Sequence, residues 1–423
     1  MKRLIMLFIF FIVLFSFLAN PAPVSIELYD FVLIGLTLSL GLLALFITTS
    51  YSVNQTESQL LFALILYLSY LLASTLCGFL QGVPFLNILR SIGPYINFFP
   101  LILLGFIPNR FIKPSSLGMI FIVVGCLQGA YLFYLYLMHA VNANSINAVL
   151  QSRITFMDQR TTLPLLLGVA ILPLYYVLNK KNNLQQHLLL SSIALIIVLF
   201  GFIAIAMTLT RSIFLAVLFG WLTFIIFYLY QQSKSKSFSM HPFLIKLLST
   251  LMLFILLFAL LSLFSKVRML ESGLYARFFD HGANGQTDYS NGRIYDEWLP
   301  ALNRWMNAGP ISWLFGIGAG NSFMTPTGEE RTYIHNLCLY SLVYGGLFGL
   351  ISCLFLYFTL IKSLLLRAHQ TNNAIYIAFL ALLCSLFFYG QFFAVHKGLA
   401  FNVMLFLMIA LALRKPFLPS NEA

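Results

Sequence analysis

Charge is scarce in this sequence. Only 9% of its 423 residues are charged and 60% are hydrophobic, whereas a soluble globular chain carries about 25% charged residues. That excludes a soluble domain and a disordered chain alike. Acids are the rarest charges, 12 Asp and Glu against 24 Lys and Arg. None lies deep within an apolar run; Glu27 and Asp30 stand at an edge. A proton relay or an ion-coupled transporter usually needs intramembrane acids. The five cysteines (Cys77, Cys126, Cys338, Cys353, Cys384) lie within or beside apolar runs, with no CxxC and no Cys/His cluster at metal-ligand spacing. They read as small core residues. No DxD-like pair suggests a metal–nucleotide-sugar site. Asp296 and Glu297 are adjacent, so they point to different faces of a helix. No metal and no cofactor is expected. No internal repeat links the two halves, which counts against transporters built from repeated halves.

Long apolar runs are what the sequence has instead. They are continuous, not alternating, which excludes an outer-membrane barrel. Twelve windows read as membrane spans: 4–20, 28–49, 60–80, 91–108, 116–139, 162–178, 188–208, 211–230, 243–264, 335–361, 373–392 and 398–413. The 43 Phe and 21 Tyr suit lipid-facing helices and interfacial belts. The expected fold is therefore an all-α polytopic membrane protein, a single transmembrane domain over 1–423. The first window follows Met-Lys-Arg as a signal peptide would, but no clear A-x-A cleavage site follows it.

Topology accounts for the net charge of +12, so no nucleic-acid partner is expected. With an even number of spans both termini share a side, and that side holds thirteen Lys and Arg in its short loops. The opposite short loops hold five: Arg90, Arg153, Arg160, Arg211 and Lys397. The positive-inside rule puts both termini in the cytoplasm.

One long loop, 265–334, then falls outside, between spans nine and ten. It holds seven of the twelve acids, three of the four Trp and a Gly/Asn-rich stretch, His281 to Gly292. Residues 293–307 read as a helix, with Ile294, Trp298, Leu302 and Trp305 on one apolar face. Such a helix lies in the membrane interface, forms a lid over a membrane site, or does both. LFGIGAGNSF (314–323) lacks the dinucleotide fingerprint and reads as a backbone turn with close approach. Gly345, Gly346 and Gly349 read as helix-packing positions.

Several residues can carry chemistry. Arg211 sits between two spans with almost no loop, and is either a snorkelling arginine or an anion clamp; Thr208 and Thr210 beside it offer hydroxyls. Arg153, Arg160 and Arg293 share its side. Four outward arginines suit a polyanion such as a diphosphate, and lipid headgroups would attract them too. His335 opens the tenth span, where the positive end of the helix dipole favours a neutral ring that can act as a base. The bland alternative is an interfacial histidine bonded to a carbonyl. Asn336 beside it can cap or orient. His396 and Lys397 are weaker candidates.

The ordered set RITF…QRTTLPLLLGVAILPLYYVL, TLTRS, SNGRIYDEW, LFGIGAGNSF and IHNLCLYSLVYGGLFGL, over about 150–360, resembles the O-antigen ligase and polymerase superfamily of bacterial membrane glycosyltransferases. The resemblance implies a C-type glycosyltransferase fold with a periplasmic active site. It implies a glycan on undecaprenyl diphosphate as donor, metal-independent inversion, and the inner membrane of a Gram-negative cell, among membrane lipids. By motif, His335 as the base and Arg211 are catalytic, Arg211, Arg293 and either Arg153 or Arg160 bind the donor diphosphate, and Thr210 and Asn336 support. A ligase would use lipid A–core lipopolysaccharide as acceptor, a polymerase the next lipid-linked repeat unit. The R-x10-G spacing of polymerases is absent: eleven residues after Arg153, Arg211 and Arg293 stand Pro164, Leu222 and Arg304. That favours a ligase. A lipid-linked oligosaccharide flippase is the alternative from another class.

Overall fold

The computed structural model describes residues 1–18, 28–48, 54–108, 111–142, 163–178, 184–208, 210–233, 293–394 and 397–414. Its helices are α1 (Lys2–Leu18), α2 (Leu28–Ile47), α3 (Gln55–Leu80), α4 (Phe85–Ile96), a 3-10 helix (Phe99–Phe106), α5 (Pro114–Asn142), α6 (Pro164–Ile171), α7 (Leu174–Leu178), α8 (Leu184–Met207) and α9 (Arg211–Ser233). A π-helical turn (Ile294–Trp298) then leads into α10 (Leu299–Met306), followed by α11 (Pro310–Phe315), α12 (Leu337–Thr371), α13 (Ile375–Gly390) and α14 (Leu399–Leu413). Strand among the described residues is confined to an antiparallel hairpin, β1 (Phe323–Met324) and β2 (Glu330–Arg331), with Phe323 opposite Arg331.

Eleven of the twelve apolar windows carry helix; the window 243–264, the Gly/Asn-rich stretch 281–292, Arg153, Arg160 and His396 lie outside the described residues. Prolines break two windows, because proline has no N–H to continue the ladder. In 91–108, α4 contains Pro94 and stops at Ile96, and the 3-10 helix begins with a proline in its first turn. In 162–178, α6 and α7 part at Leu172–Pro173. Six stretches among the described residues are long and apolar enough to cross a membrane: Gln55–Leu80, Phe85–Phe106, Pro114–Leu135, Leu189–Met207, Arg211–Gln231 and Leu337–Thr371. Four other apolar helices are shorter. The protein is thus an all-α, membrane-embedded one.

The chain forms two compact units. The first comprises Met1–Lys113, Asn284–Thr371 and Phe387–Ala423. Its centre is α3 against α12. The Tyr70 ring lies so close to Gly345 and Gly349 that a β-carbon there would stand 2.2 and 2.9 Å from it, so these glycines do serve packing. Tyr67 meets Tyr70 and Tyr95 edge-on at 5.5 and 6.3 Å. At the other end of the pair, Glu57 accepts from Arg367 at 2.6 Å, both buried. Glu57 also closes a capping box with Asn54 at the start of α3.

The second unit comprises Pro114–Ala283 and Asn372–Leu386. Every residue of α6 is buried, with α5, α8 and α9 packed around it. Gly125 and Gly201 make room for Val169. Trp221 Nε1 donates to the Ala170 carbonyl at 2.9 Å, and Ser385 Oγ to that of Ala216 at 2.6 Å.

Candidate functional site

The glycine-rich loop sets the frame of the site. Gly316, Gly318 and Gly320 have φ of 80°, 86° and 79°, a region in which L side chains are strained. Each also abuts backbone: Gly316 at Tyr344 and Gly345, Gly318 at Cys77 and Gly78, Gly320 at Asn87 and Ile88. The loop is therefore the turn with close approach read from sequence. The loop itself rests on α3, α4 and α12, between α11 and the hairpin. Ala301, Ile317, Phe323, Ile334, Tyr340, Val343 and Tyr344 form a buried apolar cluster there, with Trp298 and Trp305 on its edge. The apolar face of residues 293–307 thus covers protein through its two tryptophans, while Ile294 at its start is exposed.

His335 follows this hairpin and precedes α12. Asn336 caps that helix: its Oδ1 accepts from Leu339 N–H at 2.8 Å, and its Nδ2 donates to the Gln391 carbonyl at 3.2 Å. Capping and orienting are therefore one residue's two contacts.

A buried carboxylate holds His335. Glu297 is 1% exposed, and its Oε2 lies 2.7 Å from His335 Nδ1. Its Oε1 accepts the His335 backbone N–H. The Tyr333 and Phe393 rings meet the imidazole edge-on at 5.2 and 6.2 Å. The His335 side chain keeps 18% of its surface.

Three basic side chains stand near this pair, Arg331 in contact with it and Arg293 and Lys397 across the neighbouring rings. Arg331 lies 3.5 Å from Glu297 and 2.8 Å from the exposed Glu329; its hydrogen bond to Glu329 raises its pKa above the usual arginine value. Arg293 stands over the Phe393 ring at 4.8 Å and donates to the Phe392 carbonyl. Burial lowers the Arg293 pKa, and Glu297 opposes that shift. Lys397 donates to the Thr332 carbonyl at 2.7 Å and lies over the Tyr333 and Tyr340 rings at 5.8 and 5.4 Å. Burial pushes its ammonium down to about 7. A partly desolvated cation gains more from an anionic ligand than a hydrated one does.

The structure thus groups His335, Asn336 and Arg293 in the first unit. Arg211 and Thr210 belong to the second unit, where Arg211 is the first residue of α9. Thr210 Oγ1 donates to the Thr208 carbonyl at 3.0 Å, and Thr208 Oγ1 to that of Ile205 at 2.7 Å. A hydroxyl has one proton, so both donors are used on backbone. Sequence reading missed Glu297 as the partner of His335, and Arg331 as a partner of Glu297. They lie 38 and 4 residues from His335, spacings that no motif rule connects.

The sequence matches no protein-family model and no curated protein.

Proposed function

We propose that this protein is a membrane glycosyltransferase that moves a glycan from undecaprenyl diphosphate to lipid A–core lipopolysaccharide, an O-antigen ligase. On this reading it crosses the inner membrane of a Gram-negative cell twelve times, with both termini cytoplasmic and the site periplasmic. The observation that carries the reading is a histidine at the start of a membrane-length helix, with Arg293, Arg331 and Lys397 near it. The motifs TLTRS, SNGR and IHN support it by resemblance.

The chemistry follows from charge. The acceptor hydroxyl attacks the anomeric carbon from the face opposite the diphosphate. The new glycosidic bond forms as the bond to the diphosphate oxygen breaks. The hydroxyl proton passes to His335 Nε2. Undecaprenyl diphosphate leaves as an anion, and fixed cations oppose the charge it develops. Arg293 can serve in this way, because the Phe392 carbonyl takes only one of the five N–H groups of its guanidinium. The motif resemblance assigns diphosphate binding to Arg211 and to Arg153 or Arg160 as well. Glycosyl transfer of this kind needs no cofactor.

The test is a deletion strain complemented with wild type, His335→Ala, Arg293→Ala or Arg211→Ala, followed by lipopolysaccharide gels and extraction of the lipid-linked pool. Loss of long-chain O-antigen while polymer accumulates on undecaprenyl diphosphate is the expected result. Lipopolysaccharide capped with a single repeat unit would make the protein a polymerase. An arginine requirement with His335→Ala fully active would favour binding or flipping over catalysis.

A further inference from the structure

Glu297 engages one residue with both its oxygens. Oε1 accepts the His335 backbone N–H, and Oε2 faces Nδ1 at 2.7 Å. A carboxylate only accepts hydrogen bonds. In the neutral ring the Nδ1 facing it therefore carries the proton, which leaves the lone pair on Nε2. The backbone contact fixes the carboxylate relative to the chain that bears the ring, so ring and carboxylate hold one angle.

We infer that Glu297 is the positioning residue of this site: it sets the His335 tautomer and stabilises the imidazolium that forms when Nε2 takes a proton. This rests on the reading of His335 as the base. Arg331 supports the role: its Nη1 lies 3.5 Å from Oε2, the same oxygen that faces Nδ1. Among the described residues, the other charged and titratable groups facing the pair are Arg293 at the start of the turn that carries Glu297, Glu329 through Arg331, Tyr333 against the ring, Tyr344 near Glu297, and Lys397 behind Tyr333. None of them contacts Nδ1 among the described residues.

Glu297→Gln is the discriminating change. Its amide oxygen can still accept the backbone N–H, so its NH2 then faces Nδ1. An NH2 donates, so Nδ1 must accept and the ring proton moves to Nε2, which can no longer receive one. Transfer by the purified full chain from a polyprenyl-diphosphate glycan should lose about 10²–10⁴-fold in kcat, with donor KM held within about threefold. The limb of the pH–rate profile that reports the base should move, and Glu297→Asp should restore part of the rate. Nitrogen NMR on histidine-labelled wild type, with the His335 signal identified by its loss in His335→Asn, should show protonated Nδ1 and bare Nε2. That measurement stands even where Glu297→Gln does not fold. The opposite tautomer would overturn the inference. So would a Glu297→Gln enzyme with wild-type kcat and pH profile while His335→Ala is inactive, and that pair of results leaves His335 as the base. Full activity of His335→Ala instead removes the underlying reading.

Discussion

The backbone N–H of Ile317 donates to the carbonyl of Val343 at 2.9 Å, one turn before α12 breaks at Gly346. The next carbonyl, that of Tyr344, accepts from Ser74 Oγ at 2.7 Å. The glycine-rich loop and α3 thus take up the carbonyls just before the kink, as buried polar groups require. The kink in turn lets α12 meet the end of α11 backbone to backbone.

Gly346 is therefore a position closed to any side chain. Its φ of 66° and ψ of −164° lie in a region essentially confined to glycine, at a cost of about 1–3 kcal/mol for any other residue. A β-carbon there would also stand 2.3 Å from the Leu314 backbone, which has no flexible end to yield. Gly346→Ala should lower the melting temperature of the detergent-purified protein by more than Gly35→Ala does, since nothing lies within 4 Å of Gly35. Equal melting points for the two variants would contradict the packing described.

Glu57 and Arg367 form a buried ion pair between α3 and α12. Arg367 also donates to the Ala412 carbonyl at 3.2 Å, tying α14 to the same point. Removing one partner of such a pair leaves a buried charge uncompensated and costs about 3–5 kcal/mol, whereas replacing both with apolar residues is far milder. Arg367→Leu and Glu57→Met should each destabilise strongly, and the double variant by less than the sum. Thermal unfolding of the four proteins measures this, and strict additivity would mean that the two side chains do not interact.

Sequence made the helices legible because hydropathy needs only composition in a window. It blurred their breaks because hydropathy does not weigh Pro94, Pro100 or Pro173. The tight turn at 314–323 was legible from its glycines alone. The partners were not: Glu57 finds Arg367 310 residues away, and Glu297 finds His335 across the hairpin. Placing Asp296 and Glu297 on different faces was as far as spacing reached. It does not say which carboxylate is buried or what it meets. Pairing of that kind is decided by tertiary packing.

Asn336 illustrates a residue whose role was half legible. Its Oδ1 caps α12, a contact worth about 1 kcal/mol, and its Nδ2 donates to the Gln391 carbonyl. Asn336→Asp keeps an acceptor for the cap and loses the donor. Asn336→Ala loses both. Thermal melts should rank wild type above Asn336→Asp and Asn336→Ala lowest. An alanine variant as stable as wild type would show that the cap carries no weight.

Lys397 gives the fold a pH dependence of definite sign. Burial depresses its ammonium to about 7 in the folded protein, against about 10.4 for an unperturbed lysine. Between those values the unfolded chain binds more protons than the folded one, so stability rises with pH across that window. Below about pH 7 both states are protonated and this contribution no longer changes. Losing the charge does not break the link to the hairpin, because a neutral amine still donates to the Thr332 carbonyl, which lies 2.7 Å away. The cation–π attraction to Tyr333 and Tyr340 is lost on deprotonation, but burial outweighs it, as the direction of the shift shows. Lys397→Met removes the titrating group and keeps much of the apolar stem. Melting temperatures in detergent at pH 7, 8 and 9 should therefore climb more steeply for wild type than for Lys397→Met, and parallel slopes would assign the pH dependence to other groups.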